Sequence, residues 1–400
     1  MFVQTTDKAK RLQKLVEGIE IPPSYYEKAV ARYQSISEWL CREGAETAPF
    51  EPKVYVQGSF RLGLVNRPIG DEEEYDLDLV CELQLANKGN FTQKQLKEMV
   101  GREIALYAKA HGILKEPTER KRCWRIDYAD EVKFHIDNLP CVPEDQAVIL
   151  KLVEIGVDES LAQTSIALTC KDHPQYGVVS NVWPMSNPAG YGVWFEGRFR
   201  TVGNLRKQFL VESGAYKSIE AVPTYALKTP LQRAIQLYKR HRDFMFAEKP
   251  ELKPISIILT TLAAEAYDGQ SDLYETVVEV LAKMPSLIQS GRPRIPNPVN
   301  PGEDFADKWL ANPALEHNFK SWHAQATLDV EKLISLEGET EVRKLEEGKF
   351  GLPRTAAVVG APSVVTASRT VPTYAADNGP KPWGTDAGET STRVRPSRAR

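Results

Sequence analysis

The chain has 400 residues, of which 42% are hydrophobic, 26% charged and 9% aromatic; that profile fits a globular chain with room for two packed lobes and excludes a collagen, a coiled coil or a disulfide-stapled mini-protein. With 51 basic against 54 acidic side chains the net charge is only −3, so no global field draws it to a long duplex or an anionic membrane, and any nucleic-acid chemistry is local. Five scattered cysteines (Cys41, Cys81, Cys123, Cys141 and Cys170) lack CxxC spacing, and no apolar run approaches the roughly 18 to 20 residues of a membrane span, which together are expected of a cytoplasmic chain with reduced thiols.

Residues 8 to 43 carry apolar side chains at helical spacing on either side of Ile21-Pro22-Pro23-Ser24, predicting a short helix, a break and a longer helix. VYVQGS reads as a strand running into a glycine turn, and YDLDLVCEL as a second strand with strict alternation. A helix is expected from about Thr92 to His111, followed by two strands in CWRIDYADEVKFHIDNLPCV joined at Ala129-Asp130-Glu131. SNPAGYGVWF, where Gly, Asn and the aromatics Tyr191 and Trp194 come together, fits either a substrate-facing loop that recognises a base or a packed connection, and the packed connection is the favoured reading. From Thr229, a capping residue followed by Pro230 at a first helical position, the pattern turns helical. Lys253 to Ala266 predicts a buried helix, and Asp304 to about Leu345 two or three more. The last 48 residues hold seven basic and three acidic side chains among many Pro, Thr, Ser, Ala and Gly, a composition expected of a mobile tail. Strands and helices mixed over the first part predict an α/β or α+β lobe, and a helical second lobe follows it. The expected division is residues 1–220, 221–352 and a tail from 353 to 400.

Asp76 and Asp78 lie two apart on a strand, so both carboxylates project from one face while Tyr75, Leu77 and Leu79 point to the other. Adjacent carboxylates repel, and a divalent cation removes that penalty; Mg²⁺ favours one or two carboxylates completed by phosphate oxygens and water. A bare Asp-x-Asp also occurs on solvated strand faces, so neighbouring features matter. Gln57-Gly58-Ser59 ends a strand in a turn open enough for backbone amides and the Ser59 hydroxyl to approach a triphosphate. In Phe134-His135-Ile136-Asp137 the alternation sets His135 and Asp137 on one side, and a third acid on a neighbouring strand can complete a two-metal site.

The series QGSFRLGLVNRP, EYDLDLV, FHIDNLPCVP, SNPAGYGVWFEGRF, KTPLQRAIQLYKRHRD, KPISIILTTLAAEAY and EDFADKW resembles the bacterial cGAS/DncV-like nucleotidyltransferases of the polymerase-β-like superfamily, over roughly residues 50 to 345. The resemblance implies an α+β fold and a bilobal enzyme, with a mixed-sheet palm lobe and a helical C-terminal lobe, that joins nucleoside triphosphates into a cyclic oligonucleotide messenger of anti-phage defence, releasing pyrophosphate. It implies two Mg²⁺ ions, with Mn²⁺ as a substitute, on Asp76, Asp78 and Asp137. It further implies nucleotide binding by Gln57, Gly58 and Ser59, by Lys239 at the donor phosphates and by Ser256 at the start of the next helix. Nucleoside triphosphates are then the partners, without extended nucleic acid or membrane, and the tail is a candidate tether for a regulatory protein.

Two departures stand out. Sixteen residues separate Ser59 from Asp76, more than the superfamily's usual dozen or so, and the surplus is read as a solvated acidic loop, Gly70-Asp71-Glu72-Glu73-Glu74. Ser256 precedes Ile257 where several relatives carry an aromatic residue. The six histidines share no metal-ligand spacing and read as surface or packing residues; Arg61 and Arg67 read as solvated loop arginines. Two alternatives stay open: a terminal nucleotidyltransferase acting on RNA or a protein, and a catalytically inactive nucleotide-sensing scaffold.

Overall fold

The computed structural model describes residues 7–70, 74–128, 134–199 and 228–352. The expected strand junction at Ala129-Asp130-Glu131 and the tail lie outside the described residues. So do residues 71–73 of the acidic loop and the boundary at residue 220.

The chain begins with α1 (Asp7–Ile19) and α2 (Pro23–Cys41), broken where expected because Pro22 cannot donate and Pro23 suits a first helical position. The two helices serve different cores. Leu12, Leu15 and Val16 of α1 pack into the core of the helical lobe, whereas Ala29, Tyr33, Ile36 and Leu40 of α2 lie under the sheet.

That sheet is built from β1 (Pro52–Gln57), β2 (Tyr75–Leu83), β3 (Thr118–Glu119), β4 (Trp124–Tyr128) and β5 (Phe134–Pro143) in the order β1-β2-β5-β4-β3. The pair β2–β5 is parallel and the remaining pairs antiparallel, so the sheet is mixed. The far end of β5 carries β6 (Ile166–Leu168), which in turn pairs with β7 (Met185–Ser186). Side chains alternate across the sheet. Val54, Val56, Leu77, Leu79, Ile126, Phe134 and Ile136 fill one face, which α2 and α4 (Gln93–Ala110) cover. The Thr92 hydroxyl and the Gln95 side chain cap α4 reciprocally. Gly101 lets this helix lie against the sheet, since a Cβ there would overlap the Trp124 indole.

After β7, Asn187 caps a further helix, Pro188–Gly197, where the sequence suggested a connection. Tyr191 is packed there as expected, its hydroxyl 2.8 Å from Thr261 Oγ1.

The helical lobe contains Pro230–Met245, Ser256–Ala266, Leu273–Lys283, Pro313–Ser335 and Glu339–Phe350. We refer to the first two as α-I and α-II. Thr229 caps α-I in a full capping box with Gln232. The expected buried helix starts at Ser256 rather than Lys253, because Pro254 forces its predecessor out of helical geometry. Ile258, Leu259 and Leu262 of α-II are fully buried, each contributing roughly 2 kcal/mol and outweighing the modest helix propensity of its Ile and Thr residues. Among the described residues no helix is long and apolar enough to cross a membrane.

Candidate active site

On the face of the sheet opposite α2 and α4, the strand registers set polar side chains in two rows. In one row Asp76 of β2 pairs with His135 of β5, which pairs with Asp127 of β4; in the next, Gln57, Asp78, Asp137 and Arg125 follow one another across four strands. Tyr55, Val80 and Leu139, two residues further along, close the rows with an apolar floor. The alternation that buries Leu77 and Ile136 thus brings Asp76, Asp78 and Asp137 together. One ligand-capable atom from each lies within 4.8 Å of the others.

The cluster is electrostatically loaded. Burial, followed by the charges of Asp76 and Asp137, pushes the Asp78 carboxyl up to about 7. Arg125 meets Asp137 in a bidentate pair, Nε to Oδ1 and the terminal nitrogen to Oδ2 both at 2.7 Å, and lies 4.0 Å from Asp76. The hydrogen bonds to Asp137 hold the Arg125 guanidinium more firmly protonated than usual. His135 Nε2 is 3.0 Å from Asp76 Oδ1, and Nδ1 is 2.8 Å from Glu74 Oε2. The bond to Asp76 raises the His135 pKa against the effect of burial, with help from Glu74. With both ring nitrogens facing carboxylates, the imidazole is a donor on each side.

Gly58 opens a five-residue helix, α3 (Gly58–Leu62), at the end of β1. Its φ of +64° favours glycine, and a Cβ built there would stand 2.5 Å from Asp78 Oδ2. The glycine therefore both turns the chain and brings its backbone against the carboxylate. Ser59 follows it, and its carbonyl accepts from the Leu64 amide at 2.8 Å.

Lys239 and Ser256 occupy the helical lobe. Lys239 is buried on α-I and its Nζ donates to the Leu64 carbonyl at 2.8 Å, so it touches the segment that follows the Gly58-Ser59 turn. Burial, aided by Arg242, pulls its ammonium down to about 8. Gln232 and Gln236, on the same face of α-I, donate to the Leu62 and Val65 carbonyls at 2.9 and 2.7 Å. Together these three side chains clasp α-I to the end of α3. Ser256, exposed at the first position of α-II, accepts from Arg242 at 2.9 Å. Among the described residues, no contact joins Lys239 or Ser256 to the three carboxylates.

Several sequence expectations are corrected. The run Lys239-Arg240-His241-Arg242 is buried throughout, which its charge alone does not suggest. Arg61 is tied to Glu196 beside α3, whereas Glu74 is exposed as expected of the acidic loop and in addition pairs with His135. His135 is not a surface or packing residue, since it stands between two carboxylates at the site. Arg125 and His135 were legible in WRIDY and FHID, because alternation sets each on the acidic face; charge pairing across strands was the missing signal.

A mixed sheet thus carries three carboxylates on two adjacent strands, beside a short helix opened by Gly-Ser and clasped by a helical lobe, an arrangement with the oxygen donors a divalent cation takes. Residues 52–141 match the family described as cyclic GMP-AMP synthase DncV-like, nucleotidyltransferase domain. The chain is 31% identical over 346 residues to the c-di-GMP synthase of Roseivirga ehrenbergii, spanning 85% of this chain and 83% of that protein. It is 26% identical over 364 residues to the cyclic dinucleotide synthase CdnG of Bradyrhizobium diazoefficiens, spanning 85% and 79% respectively. The structure of that CdnG in complex with GTP matches the fold with a TM-score of 0.62 at 22% identity, over 86% of this chain and 96% of the other. The chain belongs to the DncV-like nucleotidyltransferases, the CD-NTases, and is an enzyme of the cyclic oligonucleotide synthase class.

Proposed function

We propose that this enzyme makes a cyclic dinucleotide, c-di-GMP, from two molecules of GTP at the face bearing Asp76, Asp78 and Asp137. The observation that carries the reading is the convergence of these carboxylates within 4.8 Å, with Asp78 pushed up to about 7 because like charges crowd a buried position. Hard oxygen donors in such a cluster fit divalent cations, and we assign it two Mg²⁺ ions, with Mn²⁺ as a substitute. Bound there, the ions would lower the pKa of the attacking hydroxyl and neutralise charge on the leaving pyrophosphate.

The chain's own residues set the geometry. In each of two transfers a ribose hydroxyl oxygen bonds to the α-phosphorus of a triphosphate, the bond to pyrophosphate breaks and the hydroxyl proton is lost. Gln57, Gly58 and Ser59 hold the donor triphosphate, the glycine because only a residue without a Cβ fits against Asp78. Lys239 faces the donor phosphates from the helical lobe, and Ser256 adds a hydroxyl at the start of α-II. Arg125, on the strand beyond Asp137, pairs with that acid and lies 4.0 Å from Asp76, so its positive charge offsets part of the crowded negative charge. The guanine assignment rests on the 31% identical c-di-GMP synthase.

The two large apolar cores fit a catalytic lobe over 1–220 and a helical lobe over 221–352, although α1, Leu62, Leu64, Tyr191, Phe195 and Phe199 pack into the core of the latter. The described cysteines are all free thiols, in keeping with a cytoplasmic enzyme drawing on the nucleotide pool. Family resemblance makes the product an anti-phage messenger and the tail a tether for a regulatory protein. Incubation with GTP alone and Mg²⁺, followed by mass spectrometry, tests the reading: it requires a product of two guanylates without a terminal phosphate.

A further inference from the structure

Of the three carboxylates, Asp76 is the least constrained by packing: its side chain is 54% exposed, against 12% for Asp137. An exposed carboxylate samples several rotamers, and fixing one for ion binding costs side-chain entropy. The structure already supplies a restraint. His135 lies directly across the β2–β5 ladder, and its ring is mostly buried. Its Nε2 sits 3.0 Å from Asp76 Oδ1, a single oxygen, which leaves Oδ2 uncommitted to the ring. Glu74, at 2.8 Å from Nδ1, fixes the other edge of the imidazole. Asp127, the third residue of the row, is occupied by Lys115.

We propose that His135 is a positioning residue for the divalent cation: it orients Asp76 through Nε2, and Glu74 holds the ring in that orientation. This inference rests on the reading of Asp76 as a metal ligand. The physical basis is general, since a group that hydrogen-bonds a metal-bound carboxylate fixes its direction, and losing such a group typically lowers metal affinity about 10- to 100-fold. His135 would act through Asp76, without touching substrate.

The test uses the full-length protein and Mn²⁺ alone, with free Mn²⁺ measured by electron paramagnetic resonance. Wild type is compared with His135→Ala, His135→Gln, His135→Asn and Asp76→Asn. A glutamine amide nitrogen reaches the Nε2 position and an asparagine amide nitrogen reaches only the Nδ1 position, so the two amides separate the contact to Asp76 from that to Glu74. The expected result is a dissociation constant raised about 10-fold or more in His135→Ala and His135→Asn, and within about threefold of wild type in His135→Gln. At saturating Mn²⁺ the KM for GTP should stay within about twofold in His135→Gln. If His135→Ala does not fold, the contrast between the two amide variants decides. Affinity unchanged in His135→Asn, or lost equally in both amide variants, overturns the positioning role while the metal site stands. Wild-type affinity in Asp76→Asn would instead overturn the metal-site reading itself.

Discussion

Replacing Lys239 by methionine should leave the protein at least as stable near neutral pH while removing most of its activity. The ammonium is buried and depressed from an ordinary 10.5 to about 8, so holding it charged at pH 7 costs about 3 kcal/mol. Methionine removes that cost and keeps the aliphatic stem, but leaves the Leu64 carbonyl without its donor at 2.8 Å, a loss of about 1–3 kcal/mol. The net change is therefore about 0 to 2 kcal/mol in favour of the variant. Between about pH 8 and 10.5 the unfolded chain binds more protons at this position than the folded protein does. Wild-type stability there rises with pH, and any advantage of the variant should disappear by pH 10. Urea denaturation at pH 7 and pH 9.5 measures both, and initial rates against GTP concentration measure the catalytic effect, expected as a KM raised about 10-fold or more if the ammonium meets donor phosphates. A variant less stable than wild type by more than about 2 kcal/mol at pH 7, with no change in that difference by pH 9.5, would refute the argument from burial. An unchanged KM would refute the assignment to the phosphates.

Three further outcomes are expected. Gly58→Ala should lower synthesis at least about 100-fold, because its Cβ would stand 2.5 Å from Asp78 and the φ of +64° costs a non-glycine residue about 1–2 kcal/mol; steady-state rates and a melting curve separate the local from the global effect. His241 donates from Nε2 to Asp329 at 3.0 Å, its buried Nδ1 has no hydrogen-bond partner among the described residues, and burial lowers its pKa. Below the unfolded value of about 6.5 the unfolded chain then binds more protons, so wild type should lose more melting temperature between pH 7.5 and 5.5 than His241→Asn does. Truncation after Leu352 should leave synthesis from GTP unchanged in vitro and abolish protection in cells if the tail tethers a partner.

Alternation made the acidic strand legible: once YDLDLVCEL is a strand, Asp76 and Asp78 must share a face, and the observed β2 has those same bounds. The Thr229-Pro230 start of α-I was equally readable, because capping is local chemistry. Other features depend on residues far apart in sequence. The parallel pairing of β2 with β5 sets Asp137 beside Asp78 across 58 intervening residues, and no local pattern encodes that register. The same holds for His135 between Glu74 and Asp76, and for the buried Lys239-Arg240-His241-Arg242 run. Its charge suggests a solvated face, yet Lys239 finds the Leu64 carbonyl, His241 finds Asp329, and Arg242 finds Pro254 and Ser256. Asn187 at the start of Pro188–Gly197 capped a helix that its glycines had disguised as a loop.

The most direct test of the central claim is a primer-free reaction containing GTP and Mg²⁺, run with wild type and with Asp76→Asn/Asp78→Asn, treated with phosphatase and analysed by mass spectrometry. The account predicts one phosphatase-resistant cyclic dinucleotide of guanylates from wild type and none from the variant. A ladder of linear products, or the same product from the variant, would contradict it.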